Sequence, residues 1–172
     1  MSARHEPVMV AEVLHFLCNG PGLYLDATLG EGGHAEALLD AQPGARLLGC
    51  DRDPSALASS RERLVRFGDR VTIAHATFSE IPARCAERGE PPFTGALLDL
   101  GLSSRQIDEP ERGISFMREG PLDLRMDPSR GEPAWRRLAT VNEEELASVL
   151  REHGDLRNGR RLARAIVAAV GC

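Results

Sequence analysis

The chain has 172 residues, 42% hydrophobic and 27% charged, which suits one globular domain with a real core or one domain plus an appendage. No apolar run approaches the roughly 20 residues of a bilayer-spanning helix, and the start Met1-Ser-Ala-Arg-His-Glu-Pro lacks a signal-peptide core, so a cytoplasmic protein is expected. The formal net charge is −5 with every basic residue an Arg, and Cys18, Cys50, Cys85 and Cys172 are too scattered for a zinc site or a disulfide framework.

In chain order, Met9–Leu17 reads as an amphipathic helix. Four short apolar runs follow: Leu23–Leu29, Arg46–Cys50, Arg70–Ala74 and Gly95–Leu100. Such runs mark strands covered on both faces by helices, and Cys50 is read as a reduced core thiol inside one of them. The intervening segments His34–Ala41, Pro54–Phe67 and Ser79–Arg88 read as helices, with Asp53 capping the second and Ser79 a candidate cap for the third. Alternating strands and helices predict an α/β fold with right-handed crossovers and a doubly wound parallel sheet. After Leu102 the pattern changes. Glu109–Glu132 is rich in Pro, Gly and charge, then Asn142–His153, with Asn142 as cap, and Gly159–Val170 read as helices. Residues 1–104 are therefore expected to form the strand-bearing domain and residues 105–172 a loop-rich helical segment. A doubly wound sheet usually has five or more strands, so the sheet is expected to be incomplete in this chain.

The chemistry concentrates at the strand ends. After the first run, Gly30-Glu-Gly32-Gly33 leads into a helix at His34. Glycines permit a sharp turn and close ligand approach, and a helix N-terminus offers free N–H groups. The spacing departs from G-x-G-x-x-G, and either a dinucleotide or S-adenosylmethionine would fit. Asp26 could reach a ligand ammonium or cap the loop. Asp51, 21 residues beyond Gly30, is placed to take the two ribose hydroxyls of an adenosine. Phe78 could lie against an adenine or pack in the core. Asp99 ends the fourth run, where a carboxylate faces the crevice of a parallel sheet. No His, Asp or Glu cluster has metal-ligand spacing.

Several stretches together resemble a known family. They are His5-Glu-Pro-Val-Met, Thr28-Leu-Gly-Glu-Gly-Gly-His34, Asp51-Arg-Asp53, Leu98-Asp-Leu-Gly-Leu-Ser-Ser104, Gln106-Ile-Asp108, Glu111-Arg-Gly113, Gly120-Pro-Leu-Asp-Leu-Arg-Met-Asp127 and Ala163-Arg-Ala-Ile-Val167. The chain is similar, from His5 to about Val167, to the bacterial 16S ribosomal RNA cytosine-N4 methyltransferases. The resemblance implies a Rossmann-like class I sheet that uses S-adenosylmethionine, with a helical domain inserted after the fourth strand. It implies methylation of the exocyclic N4 of a cytidine in the decoding region of 16S ribosomal RNA. It also implies cofactor contacts at Gly32, Gly33, His34, Asp51, Phe78, Asp99 and Gln106, where the backbone N–H of His34 is expected to matter more than its imidazole. Two departures stand out. The family usually has Tyr-Gly-Glu-Glu where this chain has His153-Gly-Asp155-Leu156, and it continues well beyond this length.

The reaction implied is direct displacement at a sulfonium methyl by a weakly nucleophilic amine. It needs in-line positioning and an acceptor for an N4–H hydrogen bond. Asp99, or a main-chain carbonyl near Leu100, is the candidate acceptor. The partner would be 16S ribosomal RNA with its cytosine unstacked. Arg118–Arg137 and the helix bearing Arg157, Arg160, Arg161 and Arg164 are the candidate RNA faces. The rival readings are an NAD-dependent oxidoreductase and a cofactor-binding piece with weak or no turnover.

Overall fold

The computed structural model describes residues 7–170, so His5 and Cys172 lie outside the described residues. The chain divides into two compact units, Met1–Ser104 and Arg105–Cys172.

In the first unit, four parallel strands form one sheet: β1 (Gly22–Asp26), β2 (Ala45–Asp51), β3 (Val71–His75) and β4 (Gly95–Leu97). Their order is β3-β2-β1-β4, so the chain reverses direction across the sheet between β3 and β4. That reversal separates β1 from β4 as neighbours in space but not in sequence, which creates the crevice at their carboxyl ends. Helices α1 (Val10–Leu17), α2 (Gly33–Ala41), α3 (Pro54–Leu64) and α4 (Ile81–Arg88) connect or cover the strands. One core packs Tyr24, Leu38, Leu39, Leu47, Leu57 and Leu64 between β1, β2, α2 and α3, and a second gathers Leu23, Leu48, Cys50 and Ile81. Tyr24 is fully buried, yet its hydroxyl donates to Gly20 O at 2.6 Å and accepts from Asn19 N, so burial leaves no polar group unpaired.

Three local expectations are corrected. The fourth strand ends at Leu97 rather than Leu100, and Leu98 and Leu100 are exposed. The cause is its neighbour: β1 has already turned at Ala27, whose N–H closes the ladder on Leu97 O. The helix after β3 starts at Ile81, and Ser79 does not cap it; instead Glu80 reaches back to accept from the Thr77 N–H and hydroxyl. The helix from Pro54 stops at Leu64 and tightens into a 3-10 turn over Val65–Arg70, broken at Gly68. Asp53 caps α3 as expected, accepting from Ser55 N at 3.0 Å.

The second unit carries α5 (Ser104–Asp108, straddling the boundary), α6 (Ala134–Thr140), α7 (Glu143–Glu152) and α8 (Gly159–Val170). No strand occurs among its described residues. Asn142 caps α7 by accepting from Glu145 N at 2.9 Å. The long loop before α6 is ordered by arginine. Arg125 forks onto both oxygens of Asp123 at 2.7 Å each and also donates to Pro128 O and Gly131 O. Gly113 sits against the backbone of this loop, where an added Cβ would fall 1.9 Å from Pro121 O. Leu146, Ala147 and Ala163 make a small core with Leu138, Leu150, Ile166 and Val167.

Among the described residues, no helix is long and apolar enough to cross a membrane.

Candidate functional site

The site is built where β1 hands over to α2. Asp26 ends β1 and its carboxylate accepts from Thr28 N at 3.1 Å, which bends the chain out of the strand. The bend leads to Gly30 at φ +52° and Gly32 at φ +81°, left-handed conformations that glycine adopts without a Cβ penalty. Gly32 is also pressed on α3, where a Cβ would meet Leu64 and Ser60 at 3.2–3.4 Å. Gly32 is the N-cap of α2, Gly33 and His34 open the helix, and their amides have no carbonyl one turn earlier in the helix to pair with.

Asp51 holds this turn in place. One carboxylate oxygen accepts from Gly30 N at 2.8 Å and the other from Asp53 N at 2.9 Å. The 21-residue spacing noted in the sequence is thus a direct contact between the end of β2 and the glycine turn. Each oxygen still has lone-pair capacity, so the same carboxylate can serve the turn and a ligand hydroxyl.

The end of β4 closes the other side. Asp99 N donates to the Thr28 hydroxyl at 2.7 Å, tying β4 to the β1 turn, while its side chain stays half exposed. His34 Nε2 lies 3.7 Å from Asp99 Oδ2. The imidazole is buried beside Leu25, Leu38, Leu47, Leu97 and Asp26, and its Nδ1 has no hydrogen-bond partner. Burial pulls the His34 pKa down, against the opposing pull of Asp99, so the ring is neutral near pH 7. A neutral ring does not cancel the charge of Asp99. Sequence reasoning valued His34 for its backbone and missed this side-chain contact, because 65 residues separate the two partners.

Asp26 lies close enough to feel the carboxyls of Asp51 and Asp99. Burial drives the Asp26 carboxyl up to about 7, with a smaller upward push from the Asp51 and Asp99 carboxylates and a downward one from its bond to Thr28 N–H. Three carboxyl groups at adjoining strand ends, beside free helix-start amides, can attract a cation on one side and hydrogen-bond acceptors on the other. Among the described residues, no three His, Cys, Asp or Glu side chains converge as a metal site.

Phe78 follows β3 and is half exposed, so core packing is not its role. Gln106 lies on α5 in the second unit, where its side chain is buried. Its candidacy as a cofactor contact rests on the resemblance alone.

Comparison with known proteins gives this site a lineage. The chain is 50% identical over 167 residues to the ribosomal RNA small subunit methyltransferase H of Sorangium cellulosum, covering 96% of this chain and 53% of that one. It is 47% identical to the protein of that name from Methylibium petroleiphilum, with 96% and 53% covered, and 45% identical to that from Salinispora tropica, with 95% and 46% covered. The chain therefore spans about half the length of the curated relatives it matches. Among solved structures, an rRNA methylase from Streptococcus thermophilus aligns over 54% of this chain and 50% of its own, at 22% identity and a TM-score of 0.41. A family model matches residues 2–170, essentially all of the sequence that builds both units, and by that match the chain belongs to the MraW methylase family.

Proposed function

We propose that this chain carries the S-adenosylmethionine site of a methyltransferase acting on the exocyclic N4 of a cytidine in the decoding region of 16S ribosomal RNA. Its partner is the small ribosomal subunit and its location the cytoplasm. Residues 1–104 are the cofactor-binding domain and residues 105–172 open an inserted substrate-recognition domain.

The observation that carries this reading is the glycine turn locked to Asp51 between the carboxyls of Asp26 and Asp99. The donor set suits the cofactor. A sulfonium and an α-ammonium want carboxylates nearby, a ribose diol wants Asp51, a cofactor carboxylate wants the Gly33 and His34 amides, and half-exposed Phe78 offers a face for adenine. When bound, S-adenosylmethionine supplies an electrophilic methyl group on sulfur. The protein's own part is positional. Asp51 fixes the turn, Thr28 fixes the backbone of Asp99, and Asp99 accepts a hydrogen bond from the cytosine amine, which orients its lone pair. Asp99 would take the proton that the methylated amine gives up and pass it on to water.

The alternative reading of this 172-residue chain is cofactor binding with little or no turnover. Calorimetry with S-adenosylmethionine and transfer of a labelled methyl group to small subunits separate the two. Binding with transfer supports the first reading and binding without transfer the second. Absence of binding, or equal binding of NAD, contradicts both.

A further inference from the structure

Two arginine-bearing stretches compete as the surface that meets RNA, and the structure distinguishes them. In the stretch around the loop and α6, the arginines are spent internally. Arg118 donates to Asp108 O at 2.7 Å, and Arg125 is enclosed by Asp123 and two carbonyls. Arg130 pairs with Asp127 at 3.4 Å, Arg136 pairs with Glu132 and lies over the Trp135 ring, and Arg137 pairs with Glu145. These guanidiniums order the loop and answer carboxylates of their own unit.

The start of α8 is different. Arg157, Asn158, Arg160, Arg161 and Arg164 line an open hollow of about 340 Å³. Glu143 of α7 reaches Arg164 at 3.3 Å and Arg160 at 3.9 Å, which orients those two without matching the total charge. Arg157 and Arg161 are exposed and have no carboxylate partner among the described residues. The helix contains no acidic residue, and its first-turn amides add a partial positive charge at the same corner. The corner is also rigidly placed. Gly159 is buried so close to α7 that a Cβ there would lie 3.1 Å from Ala147 O.

We infer that this hollow is a phosphate-binding site that grips the backbone of an RNA strand, with Arg157 and Arg161 as its principal contacts. The inference rests on the RNA-modifying reading above. Planar guanidiniums in a cluster recognise phosphate oxygens in pairs. An anionic lipid surface would also meet arginines, but an amphipathic helix enters lipid by its apolar face. Here Ala163, Ile166 and Val167 are already packed on Leu146 and Leu150.

The test is fluorescence anisotropy of the 172-residue chain with a labelled 12-nucleotide oligocytidine at several salt concentrations. Arg157→Gln/Arg161→Gln should weaken binding at least about tenfold and reduce the slope of log affinity against log salt by about 1.4, or about 0.7 for each lost contact. Arg157→Lys/Arg161→Lys should keep most of the slope, and Arg136→Gln, whose charge is already spent, should match the parent. Circular dichroism should show all variants equally folded. Equal slopes for the parent and the Gln pair overturn the site, as does a parent with no salt-dependent affinity. Phosphatidylserine vesicles are the second arm; vesicle binding lost in the Gln pair with RNA binding unchanged also overturns it. RNA binding through this pair without uptake of S-adenosylmethionine leaves the site standing and sinks the methyltransferase reading. Cofactor uptake with no effect of the pair does the reverse.

Discussion

The two units solve the placement of charge in opposite ways. In the first, the carboxyls at and just beyond the strand ends are answered by backbone N–H groups, Asp26 by Thr28, Asp51 by Gly30 and Asp53, and Asp53 by Ser55, while Glu36, Asp40 and Glu90 pair with arginines away from the crevice. In the second, a small core of Leu146, Ala147 and Ala163 is surrounded by arginine–carboxylate pairs between side chains. Backbone partners fix a carboxylate to the sheet and leave it spare lone-pair capacity. Side-chain partners neutralise each other and leave a surface whose function depends on which charges remain unpaired. The first arrangement suits a precise small-molecule site and the second an extended polyanion.

The comparison breaks first if the cores prove equal. Leu47→Ala, at a fully buried position of β2, should cost about 3–4 kcal/mol, whereas Leu146→Ala in the thinner core should cost about 2 kcal/mol. Urea unfolding followed by far-UV circular dichroism measures the first. The fluorescence of Trp135, the only tryptophan, reports the second because it stands in the second unit. Matching losses would remove the contrast in core depth.

Next comes pH. The native Asp26 carboxyl titrates near 7 while an unfolded one titrates near 3.8, so the folded chain holds this proton more tightly. Its contribution to stability is therefore fully present below about pH 4, falls as pH rises towards 7, and is flat above; the fall is on the order of 2–4 kcal/mol. Asp26→Asn keeps an acceptor for Thr28 N and should abolish that slope in thermal melts between pH 4 and 7. The same proton opposes a cationic ligand, so S-adenosylmethionine should bind more tightly at pH 8 than at pH 6 in the parent and lose that dependence in the variant.

Asp51→Ala should cost about 1–3 kcal/mol by orphaning the amides of Gly30 and Asp53, with cofactor affinity falling at least about tenfold. Asp51→Asn separates the two effects: it retains an acceptor for the turn but removes the charge. The smallest effect belongs to the second unit. Arg125→Gln should leave the global melting temperature nearly unchanged, yet speed proteolytic cleavage within residues 113–133, because that side chain closes the loop locally. A large fall in melting temperature would show that the loop supports the whole unit.

The sequence made the strands, the crossover helices and two of the three expected helix caps legible because each has a local cause, as Asp53-Pro54 and Asn142-Glu143 illustrate, whereas Ser79 does not cap α4. Asp51 was found by spacing from the glycine turn. The length of β4 was overread, because Leu98-Asp-Leu-Gly-Leu is apolar like a buried strand, while what ends the strand is the turn of a neighbour 70 residues away. The pairing of His34 with Asp99 was hidden for the same reason, as was the choice between two arginine stretches. Composition counts arginines, but only their carboxylate partners reveal which remain free. Helix α6 was missed because Pro133 and the glycine-rich loop before it mask a short Ala-Trp-Arg-Arg-Leu run.

The central claim is that the carboxyls at the ends of β1, β2 and β4 make a cofactor crevice within the first unit. Titration calorimetry of the 172-residue chain with S-adenosylmethionine and with NAD at pH 8 tests it most directly, with Asp51→Ala and the Arg157→Gln/Arg161→Gln pair beside the parent. One S-adenosylmethionine should bind per chain, with no heat from NAD, loss of binding in Asp51→Ala and full retention in the arginine pair. Undiminished binding in Asp51→Ala, or heat with NAD alone, would contradict it.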